Sequence, residues 1–163
     1  MVAVLALPLA TTGCTVPMGA VTGVGVNAAG GVVGYLQVCE DHIDGATLYS
    51  DSEHEGDDEN KRGSWSAPRP VTKSATWTLS EPVPWATDLP LAHLDSDVQY
   101  GLYGWAEDNS SSAGPVVFSL EDLASLKPGQ VLYRGYGPSG YGTARNVVAT
   151  EADFKRAACE TVG

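Results

Sequence analysis

Proline and glycine cut this chain into short pieces. The sequence holds 10 Pro and 19 Gly in 163 residues, and long runs rich in helix formers are few. The segments between these breakers carry Val, Tyr, Trp and Thr, so they read as strands joined by turns. Ala75–Leu79 alternates, with Ala75, Trp77 and Leu79 facing one way and Thr76 and Thr78 the other; that is the period of a half-buried strand. Val32–Glu40 does the same, with Tyr35, Gln37 and Cys39 on one face and Leu36 and Val38 on the other. Val98–Glu107 is the strongest candidate, and Val21–Asn27, Ala46–Ser50, Pro115–Ser119 and Gln130–Arg134 add further strands. Val21–Asn27 reads as an edge strand. Turns are expected at Gly30-Gly31, Ile43-Asp44-Gly45 and Asp108–Gly114. Pro68 and Pro70 confine any strand in Ser64–Thr72 to a sheet edge, and Pro82, Pro84 and Pro90 punctuate a connecting loop.

Helix signals are confined to two places. Ser119-Leu120-Glu121-Asp122 has the form of a capping box, and Lys127-Pro128-Gly129 stops the short helical turn that it opens. Near the C-terminus Thr150 is a good N-cap, Glu151 and Asp153 sit in the first turn, and Phe154, Ala157 and Ala158 form an apolar stripe. The expected fold class is therefore mainly β, an antiparallel sandwich with a short C-terminal helix. The sandwich domain is expected over residues 32–134, with a Gly-rich loop and the helix in 135–163. Leu91–Ser119 resembles the last two strands of an immunoglobulin or fibronectin III-like domain. Leu94, Tyr100-x-Leu102, the polar turn Asp108–Ser112 and Val116–Phe118 carry that likeness.

Residues 2–10 are apolar and of the length of a signal-peptide h-region, too short to span a bilayer. The Thr11-Thr12-Gly13-Cys14 that follows resembles a bacterial lipobox. That resemblance implies a signal peptide over 1–13, acylation of Cys14, and a lipidated tether beginning at 14 and leading, with the edge strand, to residue 31. Thr stands where such boxes usually carry Leu, and no basic region precedes the apolar run, so the natural start is expected upstream of Met1. The other reading of residues 2–10 is a buried first strand with Cys14 as an ordinary thiol; periodicity alone does not separate the two. A lipid on Cys14 would leave Cys39 and Cys159 as a pair, and export permits a disulfide between them. Two unpaired buried thiols are the alternative.

Taken whole, Cys14–Tyr133 resembles small secreted or lipid-anchored actinobacterial proteins of unassigned function. The carrying features are Gly-Cys-x-Val-Pro at 13–17, Val-Cys at 38–39, Ile-Asp-Gly-Ala-Thr-Leu-Tyr at 43–49, Tyr-Gly-Trp at 103–105 and Leu-Lys-Pro-Gly at 126–129. The resemblance implies a β domain on the extracellular face of a bacterial cell membrane and supplies no catalytic residues.

The net charge of −11 repels phosphate backbones, so nucleic acid is a poor candidate and no nucleic-acid partner is expected. It also offers nothing to anionic lipid headgroups, so the membrane would be reached only through a lipid anchor. Asp51, Glu53, Asp57, Asp58 and Glu59 supply hard oxygen ligands around Gly56, but without the alternating spacing of a calcium loop; they read as a solvated loop and no metal is assigned. Trp65, Trp85, Tyr136 and Tyr141 lie among Pro and Gly and are the candidate ligand-binding residues, for a glycan or an envelope protein. Trp77 and Tyr100 belong to the core by alternation. His42, His54 and His93 stand apart, in no pairing with Ser, Cys or a metal-ligand spacing. Ser139 is not in a nucleophile elbow, and Gly135–Gly142 lacks the Lys-Ser/Thr of a phosphate loop. The sequence thus reads as a non-catalytic, cofactor-free interaction module of the cell envelope. The rival reading is an envelope glycoside hydrolase using a carboxylate pair.

Overall fold

A computed structural model describes residues 15–50, 58–135 and 144–162. Its strands are β1 (Met18–Val26), β2 (Val32–Val38), β3 (Ile43–Tyr49), β4 (Lys61–Val71), β5 (Ser74–Thr78), β6 (Ala86–Leu89), β7 (Tyr100–Trp105), β8 (Ser112–Phe118), β9 (Gln130–Gly135) and β10 (Arg145–Thr150). Helix α1 (Leu120–Ser125) follows β8, and α2 (Glu151–Ala157) follows β10 and runs into a 3₁₀ turn, Ala158–Thr161. The chain is mainly β with a short C-terminal helix, as its patterning implies. Hydrogen bonds join all ten strands in one curled sheet, where an immunoglobulin-like sandwich would divide them between two. The path runs β5–β2–β1–β8–β7–β3–β4–β6, and β9 with β10 branches from β1 beside β8.

The expectation that Val21–Asn27 forms an edge strand is corrected by β1. This strand pairs with β2 along one side, and on the other with β8 in parallel and then β9 antiparallel. Every residue from Gly19 to Gly25 is buried. A run of small and apolar residues without alternation is the mark of a strand covered on both faces. Gly23 shows how closely: a Cβ there would come within 2.5 Å of Val131 Cγ1.

Thr22 is the polar exception in β1, with no exposed surface. Its Oγ1 lies 2.8 Å from the Leu102 carbonyl and 2.7 Å from that of Gly114, and accepts from Val116 N–H at 3.1 Å. One hydroxyl thereby ties β1 to β7 and β8. Thr22→Val keeps the shape and deletes these bonds, so unfolding in urea should require about 1–3 kcal/mol less free energy. A loss below about 0.5 kcal/mol would show that the hydroxyl does not hold these strands.

Two cores flank β1. The larger contains Leu36, Ile43, Leu48, Trp65, Trp77, Tyr100, Leu102 and Phe118. The smaller, of Val21, Val33, Tyr35, Val131 and Tyr133, is closed by Phe154 and Ala158 from the C-terminal segment. Thr150 caps α2 as expected, accepting from Asp153 N–H at 3.2 Å. Phe154 is fully buried, its ring centroid 6.4 Å from Tyr35 and 5.1 Å from Tyr133. Cys159, in the turn after α2, is disulfide-bonded to Cys39, just past β2, with Cα atoms 5.4 Å apart. Residues 144–162 are therefore packed on the sheet, and β10 extends it, although the sequence shows no strand signal there beyond Val147 and Val148.

Ile43-Asp44-Gly45, expected as a turn, lies inside β3. The reversal falls earlier, at Asp41, whose φ of 60° is a conformation that Asp tolerates better than most residues. The capping box does form: Ser119 Oγ accepts from Asp122 N–H, and Asp122 Oδ2 accepts from Ser119 N–H at 2.8 Å.

Candidate functional site

The curled sheet is left open where β4 passes β5. The cause is in β4. Gly45 pairs with Ser66 and Ile43 with Val71, so Ala67–Pro70 bulge out of the ladder opposite Asp44 alone. Pro68 and Pro70 have no N–H, and a ladder does not run through them. On its other side β4 meets β6 only at Ser64–Ser66. The strand is thus interior through Ser66 and an edge beyond it, which is where the prolines place the edge.

β5 faces this bulge. Val38 N–H donates to Lys73 O at 2.6 Å and Leu79 N–H to Val32 O at 3.0 Å. The antiparallel register set by these two bonds turns the N–H and C=O groups of Ala75 and Trp77 toward β2. Those of Ser74, Thr76 and Thr78 point the other way, where no strand of the sheet pairs with β5. A groove of about 600 Å³ lies along this edge, lined by Ser74–Thr76, by the bulge and by Pro84 and Trp85. Arg69 and Lys73 stand in its lining, which contains no carboxylate.

What holds the two ends of the sheet together is aromatic. Trp65 of β4 donates its Nε1–H to Leu79 O at 3.1 Å. Trp77 of β5 packs on Trp65 at 6.4 Å and stacks on Trp85 at 4.3 Å, with the rings 13° from parallel. Trp65 and Trp85, two of the four candidate ligand-binding residues, are both buried. Trp65 has no exposed surface and Trp85 only 6%. Trp65 occupies the inward position of an alternation with Gly63 that its neighbouring prolines conceal. Trp85 borders the groove but gives one face to Trp77. Trp77 and Tyr100 lie in the core as expected. Tyr136, Tyr141 and Cys14 lie outside the described residues, as do Ser139, His54, Asp51, Glu53 and Asp57.

Across the bulge lies a second hollow of about 370 Å³, lined by Asp44, Ser66, Arg69, Trp105 and Glu107 among others. Asp44 Oδ2 accepts from Glu107 N–H at 2.9 Å and lies 3.2 Å from His42 Nε2. Asp41 Oδ1 is 2.6 Å from His42 Nδ1. His42 is therefore held between two carboxylates, which sequence reasoning missed because it sought only Ser, Cys or metal-ligand partners. The signal was present in Asp41-His42-Ile43-Asp44: residues 42 and 44 share one side of a strand, and the turn at Asp41 folds the second acid back. The hydrogen bond to Asp41, helped by the charges of Asp44 and Asp108, raises the His42 pKa above the usual imidazole value despite some loss of solvation.

A raised folded-state pKa means that this pairing contributes fully below the unfolded value of about 6.5 and is lost as pH rises through the folded one. The NMR titration midpoint of His42 should lie above about 6.5, and thermal stability should decline through that midpoint. His42→Asn should abolish this part of the decline. A midpoint at or below the ordinary value would mean that the two carboxylates do not hold the cation.

Among the described residues no group of three or more His, Cys, Asp or Glu side chains is placed to hold a metal. Asp58 instead pairs with Lys61 at 2.7 Å. No helix among the described residues is long and apolar enough to cross a membrane. The chain matches no protein family, no curated protein and no solved structure.

Proposed function

We propose that this protein is a lipid-anchored component of the bacterial cell envelope, held at the extracellular face of the cell membrane through Cys14, and that it works as a non-catalytic binding module. The observation that carries the binding role is the groove at the unpaired edge of β5, where backbone donors and acceptors, two cations and an apolar floor meet. In this reading the curl acts as an immunoglobulin-like sandwich. β5, β2 and β1 form one wall and β3, β4 and β6 the other, with the Trp65–Trp77 contact between them. Its partner is an envelope protein or glycan; the charge of −11 disfavours nucleic acid.

The anchor is tested by fractionating membranes of the native host and measuring intact mass with and without reduction. A membrane-bound chain beginning at Cys14, carrying acyl mass and gaining two hydrogens on reduction, supports the reading. A chain that keeps Met1, carries no acyl group and stays out of the membrane fraction overturns it.

A second reading, an envelope glycoside hydrolase, has one observation in its favour: Asp44 and Glu107 line the same hollow. A carboxylate pair of this kind would protonate a leaving group and activate water or attack directly. Asp44 is already committed to His42 and to the Glu107 N–H, which favours the binding role. Release of reducing sugar from envelope glycan by the native chain, abolished by either Asp44→Asn or Glu107→Gln, would reverse that order.

A further inference from the structure

We infer that the open seam takes an extended acidic peptide segment, which adds to β5 as a further strand. The inference rests on the binding-module reading and names the class of partner. Ser74, Thr76 and Thr78 present their N–H and C=O groups on the free side of β5, a template that an extended peptide satisfies by main-chain hydrogen bonds.

The facing wall cannot use that template itself. Its Pro68 and Pro70 lack N–H groups, and the bulge of Ala67–Pro70 stands off the ladder. The gap they leave is the groove. Edge strands are commonly protected by a single charge such as Lys73. Protection of that kind accounts for Lys73, but not for a groove beside the edge, nor for a second cation, Arg69, on the opposite wall.

Charge selects the occupant. In a chain of net charge −11, this groove is lined by Arg69 and Lys73 and by no acid. A peptide bearing Asp or Glu at alternate positions would meet both cations with one face. Its other face would meet Pro84 and Trp85, beside which Val83 is 86% exposed. A second copy of this chain would bring another −11 to the contact. A glycan would need an open aromatic face, and Trp85 is 6% exposed with one face stacked on Trp77.

The test is amide hydrogen exchange by NMR on the full, oxidised chain, titrated with acetyl-Val-Glu-Val-Glu-Val-Glu-amide. The same peptide with Lys for Glu and a chito-oligosaccharide serve as the other probes. Exchange at the Ser74, Thr76 and Thr78 amides should slow about tenfold or more at saturation, while Ala75 and Trp77, already bonded to β2, stay unchanged. The Lys peptide should produce no such slowing. Arg69→Glu with Lys73→Glu, both exposed, should weaken the acidic peptide about tenfold and let the Lys peptide bind. Thr76→Pro, which removes one edge N–H, should also block protection; if that variant fails to fold, the charge-reversed pair decides. Protection by both peptides alike, or none from the acidic one, overturns the inference. So does a response near Trp85 to the sugar alone without amide protection. None of these outcomes touches the anchor, which the mass at Cys14 decides separately.

Discussion

Replacing Cys39 and Cys159 together by Ser should lower the stability of the fold by about 5 kcal/mol. The size follows from the loop. The two residues are 120 apart in sequence, so the bond withholds from the unfolded chain nearly all the freedom of its described length. In the chain-entropy account a closed loop of about 100 residues is already worth about 4.7 kcal/mol. For a domain of this length the midpoint of thermal unfolding should fall by about 10–20 °C. Reduction of the native chain should produce the same shift, because the folded contacts around the bridge remain. The first structure to loosen should be α2, whose Phe154 stays docked between Tyr35 and Tyr133 only while the C-terminal segment is kept near the sheet. Calorimetry of the double variant and of the reduced protein decides the matter. A loss below about 1 kcal/mol would mean that burial of Phe154 alone secures the helix and that the bridge is dispensable.

Trp77→Ala should cost about 3–5 kcal/mol, the range for removing a buried indole. Trp77 is 2% exposed and is the middle ring of three, against Trp65 on one side and Trp85 on the other. It lies so close on β2 that a Cβ at Gly34 would come within 2.5 Å of its Cζ2, so no neighbour fills its place cheaply. One term works in the opposite direction. Trp77 Nε1 is buried without a hydrogen-bond acceptor among the described residues, and its removal relieves an unsatisfied donor. Trp77→Phe, which keeps a ring in the stack and deletes that donor, should therefore cost clearly less than Trp77→Ala. Urea unfolding gives both values. Equal losses in the two variants would show that the stack on Trp85 contributes nothing at the seam.

The parts of the fold legible in the sequence are those in which a local rule acts alone. Period-two alternation located β5 and β2 to within a residue or two, Gly30-Gly31 marked the turn after β1, and the caps Ser119 and Thr150 opened the two helices. The parts that were not legible depend on distant partners. The run of small and apolar residues at Val21–Gly25 lacks alternation, a local hint of cover on both faces, but nothing local names the cover, which is Phe154 on one side and strands such as β7 on the other. Every residue of β6, Ala86–Leu89, is exposed, and the strand exists because β4 offers it an edge. The candidate site divides in the same way. Pro68 and Pro70 did mark an edge, and Trp85 does border the groove. The groove itself arises from the curl that brings β5 opposite β4, and the edge that Pro68 and Pro70 mark begins only after Ser66, which leaves Trp65 on the interior part of β4.

The position of β1 has a consequence for the order of events during synthesis. Among the described strands it is the first to be made, and β2 can join it at once. Its other edge waits for β8 and β9, and Thr22 reaches its Gly114 partner across 92 residues. Until those residues emerge, the nascent chain carries an apolar strand with one side unpaired, the kind of surface that seeks any other strand. An early-made strand thus stays incomplete until β9 has emerged. Chains that terminate before Gln130 should be the form of this protein most prone to associate.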